Sequence, residues 1–422
     1  MARKMRDSGV EWIGEVPEGW EFLRNKWCFS CSKSIVGKAS ETTQLLSLTT
    51  SGVKCKGKEV IGGKLPESFD TYQEVSQNDL ILCLFDMDCS AVFSGLSRFD
   101  GMISPAYKVM KCKRCIEPKY ADYWFDFVGS QRFFKPYAKN IRYSLTFDEF
   151  ADLMMIVPPL PEQRRIADYL DEKCAAIDGA VDELKHGIED CKAWKKAIIE
   201  ETVFSGLRHK ESVETGDDWL ISIPSSWGFE QIRYLFALRD ERNDKPLSEV
   251  NLISLYTDQG VVQHCDLEKT TGNKASTADG YKIVKENDIV VNIILCWMGA
   301  IGRSAYNGVT SPAYDVYQPI DESRVLSRYY HYLFRTSRFN GKCYQEGRGI
   351  MMMRWRTYSS EFRAIKVPVP PMKEQQAIAD YLDEKCAAID ALVAEKEKLI
   401  ADLEAYKKSL IFELVTGKRE VA

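Results

Sequence analysis

The thirteen residues from Ile166 to Asp178 recur without change as Ile378 to Asp390, an offset of 212. A chain with such a repeat must build the same local structure twice, so the repeat is the first constraint on its fold. The match extends backwards: Val157-Pro158-Pro159 with Glu162-Gln163 corresponds to Val369-Pro370-Pro371 with Glu374-Gln375. Ahead of each copy the echoes are weaker. Trp12, Pro17 and Trp20 correspond to Trp219, Pro224 and Trp227, Asn78-Asp79 to Asn287-Asp288, and Ser104 to Tyr107 to the stretch from Ser311 to Tyr314. The order is head, helix, head, helix, with expected boundaries 1–157, 158–205, 206–369 and 370–422.

Each segment after a double proline reads as one long helix, because apolar residues recur with heptad spacing: Leu170, Cys174, Ile177, Val181, Leu184, Ile188, Cys191 and Ile198. The second copy repeats the stripe at Leu382, Cys386, Ile389, Val393, Ile400, Leu403 and Leu410. Pro161 suits a first helical turn, and Gly206 and Gly417 suit the ends. Such a narrow stripe needs a partner, and the other copy is the obvious one. Domain termini usually lie near one another, so the second head should bring the first helix's end to the second helix's start. The pair is then antiparallel, with a pseudo-twofold axis across it. In the heads, short apolar and β-branched runs such as Asp79 to Phe85 and Asp288 to Leu295 alternate with helical stretches such as Tyr120 to Phe134. The expected class is α+β.

A net charge of -5 over 422 residues at first argues against binding a polyanion. The deficit lies in the helices, however. The heads carry 21 basic against 20 acidic residues each, the helical segments 7 against 11 and 8 against 11. A nucleic-acid surface would therefore be a local basic patch. Thirteen Cys, four His and an opening without an apolar signal core suggest a reduced, cytoplasmic chain, and no run approaches the roughly 18 apolar residues of a membrane span.

No phosphate-binding loop or zinc-protease motif is present. The Ser104 to Tyr107 and Ser311 to Tyr314 segments distantly resemble an amino-methyltransferase motif but lack its second proline and any Gly-rich cofactor turn, so they read as turns leading into core strands. Cys28 with Cys31 and Cys112 with Cys115 have metal-like spacing, but about eighty residues separate the pairs, and idle thiols are expected; no metal site is assigned. Basic residues interleaved with aromatics precede each double proline: Arg132, Lys135, Lys139, Arg142 and Tyr143, then Arg348, Arg354, Trp355 and Arg356. They could hold phosphate or pair with guanine, or form the solvated face of a helix end. Lys54, Lys56 and Lys58 in a Gly-flanked loop, with Lys269, Lys274 and Arg303, are further DNA-binding candidates. The helix copies also match away from the seam, at Asp168, Asp171, Glu172 and Lys173 and their counterparts Asp380, Asp383, Glu384 and Lys385. A duplicated docking surface for a partner explains this identity, as does a recent duplication.

The Val-Pro-Pro-Leu-Pro-Glu-Gln-Arg-Arg-Ile-Ala segment at 157–167, its relative at 369–379, and the head openings from Trp12 to Trp20 and Trp219 to Trp227 resemble Type I restriction-modification specificity subunits. The resemblance covers nearly the whole chain. It implies two target recognition domains, each reading half of an asymmetric bipartite double-stranded DNA site, separated by two helices that set spacing and dock two modification subunits. Those partners would carry S-adenosylmethionine, and a restriction subunit would use ATP and Mg. The chain itself would hold no cofactor and no catalytic residue. An adaptor whose heads hold peptide or glycan, or a methyltransferase with its own active site, are the alternatives.

Overall fold

Each double proline ends a strand and starts a long helix. Met154–Val157 and Lys366–Val369 are the strands. Pro159 accepts hydrogen bonds from the backbone N–H groups of Glu162 and Gln163 at 2.8 and 3.0 Å, and Pro371 does the same for Glu374 and Gln375. The computed structural model describes residues 3–32, 34–57, 68–87, 92–138, 143–208, 211–263, 277–349 and 355–421. Four helices position everything that follows: α1 (Pro118–Ser130), α2 (Leu160–Ser205), α3 (Ser327–Phe334) and α4 (Met372–Val415).

Packing divides the chain into two units, Met1–Leu184 with Glu397–Ala422, and Lys185–Lys396. The division crosses the long helices near their middles, so each unit holds one head and a stretch of both. In the first unit Leu170 and Cys174 share a core with Leu410 and Leu414, and Lys407 donates to Asp178 at 2.7 Å. The α2 number rises as the α4 number falls, so the stretches are antiparallel. In the second unit Lys195 donates to Asp390 at 2.6 Å and Val203 shares a core with Ile378 and Leu382, again antiparallel. Lys195 and Lys407, like Asp178 and Asp390, are 212 apart in sequence. Every heptad position named above is buried or half-buried.

The heads are mixed α and β. In the first, one four-stranded sheet runs Phe29–Cys31, Lys108–Cys112, Leu80–Leu82, Ser94–Leu96, and another runs Gly52–Lys56, Leu45–Thr49, Gly101–Ile103, Gln73–Val75. The second head repeats the former as Phe236–Leu238, Tyr314–Pro319, Ile289–Asn292, Ile301–Arg303, and divides the latter into the hairpin Ile253–Tyr256 with Gly260–Gln263 and the pair Lys282–Val284 with Gly308–Thr310. Ser104 to Tyr107 and Ser311 to Tyr314 are turns into core strands, closed by Tyr107 N to Ser104 O at 3.1 Å and Tyr314 N to Ser311 O at 3.0 Å. Large aromatics dominate both cores: Trp20, Tyr120, Trp124 and Phe150 in one, Phe236, Tyr329, Tyr330 and Phe339 in the other. No described helix is long and apolar enough to cross a membrane.

Candidate nucleic-acid interface and helix junctions

The Glu-Gln pair at the start of each long helix binds its own head. Glu162 accepts from the Trp20 indole N–H at 3.0 Å and from Arg3, and Glu374 accepts from the Trp227 indole N–H at 3.0 Å. Gln163 is fully buried; its amide donates to the Cys115 and Pro158 carbonyls at 2.9 and 2.8 Å and accepts from Glu117 N at 2.8 Å. Gln375 makes the same three bonds, to the Arg324 and Pro370 carbonyls at 2.9 and 2.8 Å and from Leu326 N at 2.9 Å. The glycines closing the helices complete these junctions. Gly417 (φ +74°) would bring a Cβ within 2.4 Å of Pro17, and Gly206 (φ +76°) within 2.9 Å of Glu374. The left-handed backbone requires glycine at both positions, and at Gly417 the approach of the rigid Pro17 ring requires it as well.

Off-seam identity has a partner within the chain. Asp171 accepts from Lys119 at 2.6 Å and from the Tyr123 hydroxyl at 2.8 Å, and Lys119 also lies 3.8 Å from Asp168. Asp383 accepts from Arg328 and from the Tyr332 hydroxyl at 2.5 Å, and Arg328 reaches Asp380 at 2.9 Å. Exposed ion pairs of this kind contribute about 0.2–1 kcal/mol, so they orient the head helix rather than hold it. Burial holds it: Tyr120 and Tyr329 are fully buried and donate to the Val415 and Val203 carbonyls at 3.2 and 2.8 Å. Lys-Tyr-x-x-Tyr at 119–123 and Arg-Tyr-x-x-Tyr at 328–332, offset 209, were the available sequence signal. Glu172 and Lys173 pair at 3.0 Å, and Glu384 and Lys385 at 3.7 Å, with the carboxylates largely exposed. Trp194 and Tyr406, 212 apart, are also half exposed at 55% and 50%.

The basic candidates separate. Lys54 and Lys56 are exposed on an edge strand. Lys58, Lys139, Arg142, Lys269, Lys274 and Arg354 lie outside the described residues. Lys135 sits 4.3 Å from the Tyr143 ring centre, and Arg132 and Tyr143 both have positive φ, 56° and 46°. Arg303 is tied to a turn, donating to the Asn287 side chain at 2.7 Å. Arg348 and Arg356 form a two-residue antiparallel bridge, with backbone bonds of 2.8 and 2.9 Å, and Arg348 pairs with Glu361 at 2.8 Å. Trp355 stacks on Tyr344 at 5.0 Å and donates to its carbonyl at 3.0 Å, which engages one face and its donor. Arg356 stays exposed.

The cysteine pairs come closer than their spacing suggests, since Phe29–Cys31 pairs with Lys108–Cys112. Burial first, then neighbouring Cys115, pushes the Cys28 thiol up to about 12, and burial pushes Cys112 up to about 12. Both are protonated at neutral pH, and no metal-holding group of three ligands occurs among the described residues.

Residues 226–402 match a family model described as Type I restriction modification DNA specificity domain. A relative from Methanocaldococcus jannaschii, provisionally named the MjaX specificity subunit of a type I restriction enzyme, is 25% identical over 97% of this chain and 96% of its own length. Two solved structures share the fold at 14% identity. One, described under complex assembly and conformational transition of the type I R-M system, has a TM-score of 0.68 and covers 96% of this chain and 99% of its own. The other, the HsdS subunit from Thermoanaerobacter tengcongensis, has a TM-score of 0.56 with 98% and 100% covered.

Proposed function

We infer that the chain is a Type I restriction-modification specificity subunit, which recognises DNA sequence within a larger complex. The observation that carries the reading further is the doubled junction. Trp to Glu, the Gln clamp, and the basic residue and tyrosine on Asp occur once per head, while the surrounding loops differ. Identical attachment with divergent loops is what two readers of different sequences need.

On this reading each head, a target recognition domain, contacts one half of an asymmetric bipartite duplex site, and the antiparallel stretches of α2 and α4 form one spacer. Lys54, Lys56 and Arg356, exposed among the described candidates, would meet phosphate on this reading. Glu172, Lys173, Glu384 and Lys385, with exposed Trp194 and Tyr406, form a surface repeated at offset 212 for two modification subunits. Chemistry belongs to the partners, S-adenosylmethionine with the modification subunits and ATP with Mg in a restriction subunit. Site selection from a random duplex pool by the assembled complex tests this. Two specified tracts around an unspecified gap of fixed length are expected, and failure to enrich any sequence would overturn it.

A further inference from the structure

In the first head a cleft of about 450 Å³ opens beside α1, and its walls correspond to a site that an arginine fills in the second head. The correspondence is fixed by three pairs with equivalent bonds, Lys119 with Arg328, Tyr120 with Tyr329 and Tyr123 with Tyr332. The same offset of 209 places Asp122 against His331 and Asp126 against Arg335. Asp122 accepts a hydrogen bond from the Leu96 backbone, as the His331 Nδ1 does from Arg303 N at 3.1 Å.

Arg335 spends its guanidinium on four backbone carbonyls: Gly299 and Ile301 at 3.3 and 2.9 Å, Thr257 and Asp258 at 3.1 and 2.8 Å. Thr257 and Asp258 lie at the hairpin turn before Gly260 (φ +76°). The corresponding turn of the first head, before Gly52 (φ +84°), is one residue shorter: Thr49 pairs with Gly52 as Tyr256 does with Gly260, and Thr50 lies in the loop. Gly299 and Ile301 correspond to Val92 and Ser94, leading into the strand beside α1. Thr50, Val92 and Ser94 line the cleft together with Asp122 and Asp126. Of the cations lining it, Lys407 is held by Asp178 at 2.7 Å and Lys135 lies over the Tyr143 ring. Arg98 favours the charged form of Asp122 and Lys407 that of Asp126, but burial outweighs both.

We propose that the cleft of the first head binds an alkylguanidinium group presented by a second molecule, with the carbonyls of Thr50 and Ser94 accepting its N–H groups and Asp122 and Asp126 as counterions. A planar fork of donors fits such a pair of acceptors, with carboxylates beside them, better than an ammonium does. Burial, and after it the Asp126 carboxylate, push Asp122 up to about 7. Burial raises Asp126 as well, and a bound cation favours the charged form of both acids.

Saturation-transfer NMR on the full chain tests this with ethylguanidinium as probe and ethylammonium as control. Ethylguanidinium should bind about tenfold more tightly than ethylammonium. Asp126→Arg, which supplies the group in the same chain, should abolish binding, and the milder Asp126→Asn should weaken it several-fold in a variant that keeps the fold. Equal binding of the two probes, or unchanged binding in both variants, would overturn the proposal. Adding ethylguanidinium to the complex with the modification subunit identifies the source. Loss of assembly means a partner's arginine side chain, whereas intact assembly with the probe bound means a free guanidinium compound. Only this last arm rests on the specificity-subunit reading, so the two can fail separately.

Discussion

Replacing Gln375 with Ala removes three hydrogen bonds at the point where α4 leaves the second head. The Pro370 carbonyl bond is fully buried, while those to Arg324 O and from Leu326 N are partly buried. A buried group left without a partner costs about 1–3 kcal/mol, and each partly buried bond contributes about 0.5–1.5 kcal/mol, giving roughly 2–6 kcal/mol in all. The unit Lys185–Lys396 has 212 residues. For that size each kcal/mol lowers Tm by about 2–4 °C, so a fall of about 10 °C is expected in one calorimetric transition. Gln163→Ala should do the same to the other unit's transition. Gln375→Met keeps the side chain's length without its polar atoms, and should lose nearly as much as Ala. Hydrogen exchange would show protection lost first at Leu326 N. A loss under about 1 kcal/mol for Gln375→Ala, or full stability in Gln375→Met, would mean that packing rather than the amide holds the junction.

Reversing charge at Glu172 and Glu384 to Lys should abolish assembly with the modification subunit at unchanged Tm, read by size-exclusion chromatography, whereas reversing Asp171 and Asp383 should also loosen the heads. Removing Lys54 and Lys56 should weaken binding of the assembled complex to all duplexes alike and reduce the salt slope by about 2 if both touch phosphate; an unchanged slope returns them to solvated surface. Seven residues inserted after Leu184 and after Lys396 preserve the heptad and add about 10 Å, so the selected gap should grow by roughly three base pairs with both tracts unchanged; recovery of the original gap at full affinity would assign spacing to the heads. Asp122 is protonated up to about pH 7 in the folded chain, against a reference value of 3.8. Its contribution to stability is complete below about pH 4 and is lost as pH rises through about 7. Asp122→Asn should flatten the fall in the first unit's Tm between about pH 5 and pH 8, and an equal fall in both proteins would refute the assignment.

The repeat, the heptad seam and the terminal glycines were legible because each depends on local period or backbone conformation. Cys174 and Leu410 pack where a period of 3.5 puts them. The Glu-Gln pair was legible as a signature and opaque as chemistry, since Glu162 meets Trp20 across 142 residues of sequence. Asp171 and Asp383 read as a docking face because Lys119 and Arg328, their partners, sit in heads whose similarity has faded. Trp355 stood among the DNA-contact candidates, yet Gly347 lets it close onto Tyr344. The cleft was out of reach for the same reason as the clamps: it depends on Asp126 standing where the other head has Arg335, and only the folded helices align the two.

The junction asks little of a head: an indole near its entry, one basic residue and two tyrosines on a single helix, and carbonyls within reach of a glutamine. Outside this junction and the buried core, the loops of the head are free to drift. An exchanged head that keeps these parts would fit the scaffold without renegotiating it, and the host would acquire a new target sequence in one genetic event, whereas mutation would have to rebuild recognition base by base. The same economy gives a screen for donor heads. Any segment that pairs an entry tryptophan with Lys or Arg before Tyr-x-x-Tyr carries the parts needed for grafting onto these helices.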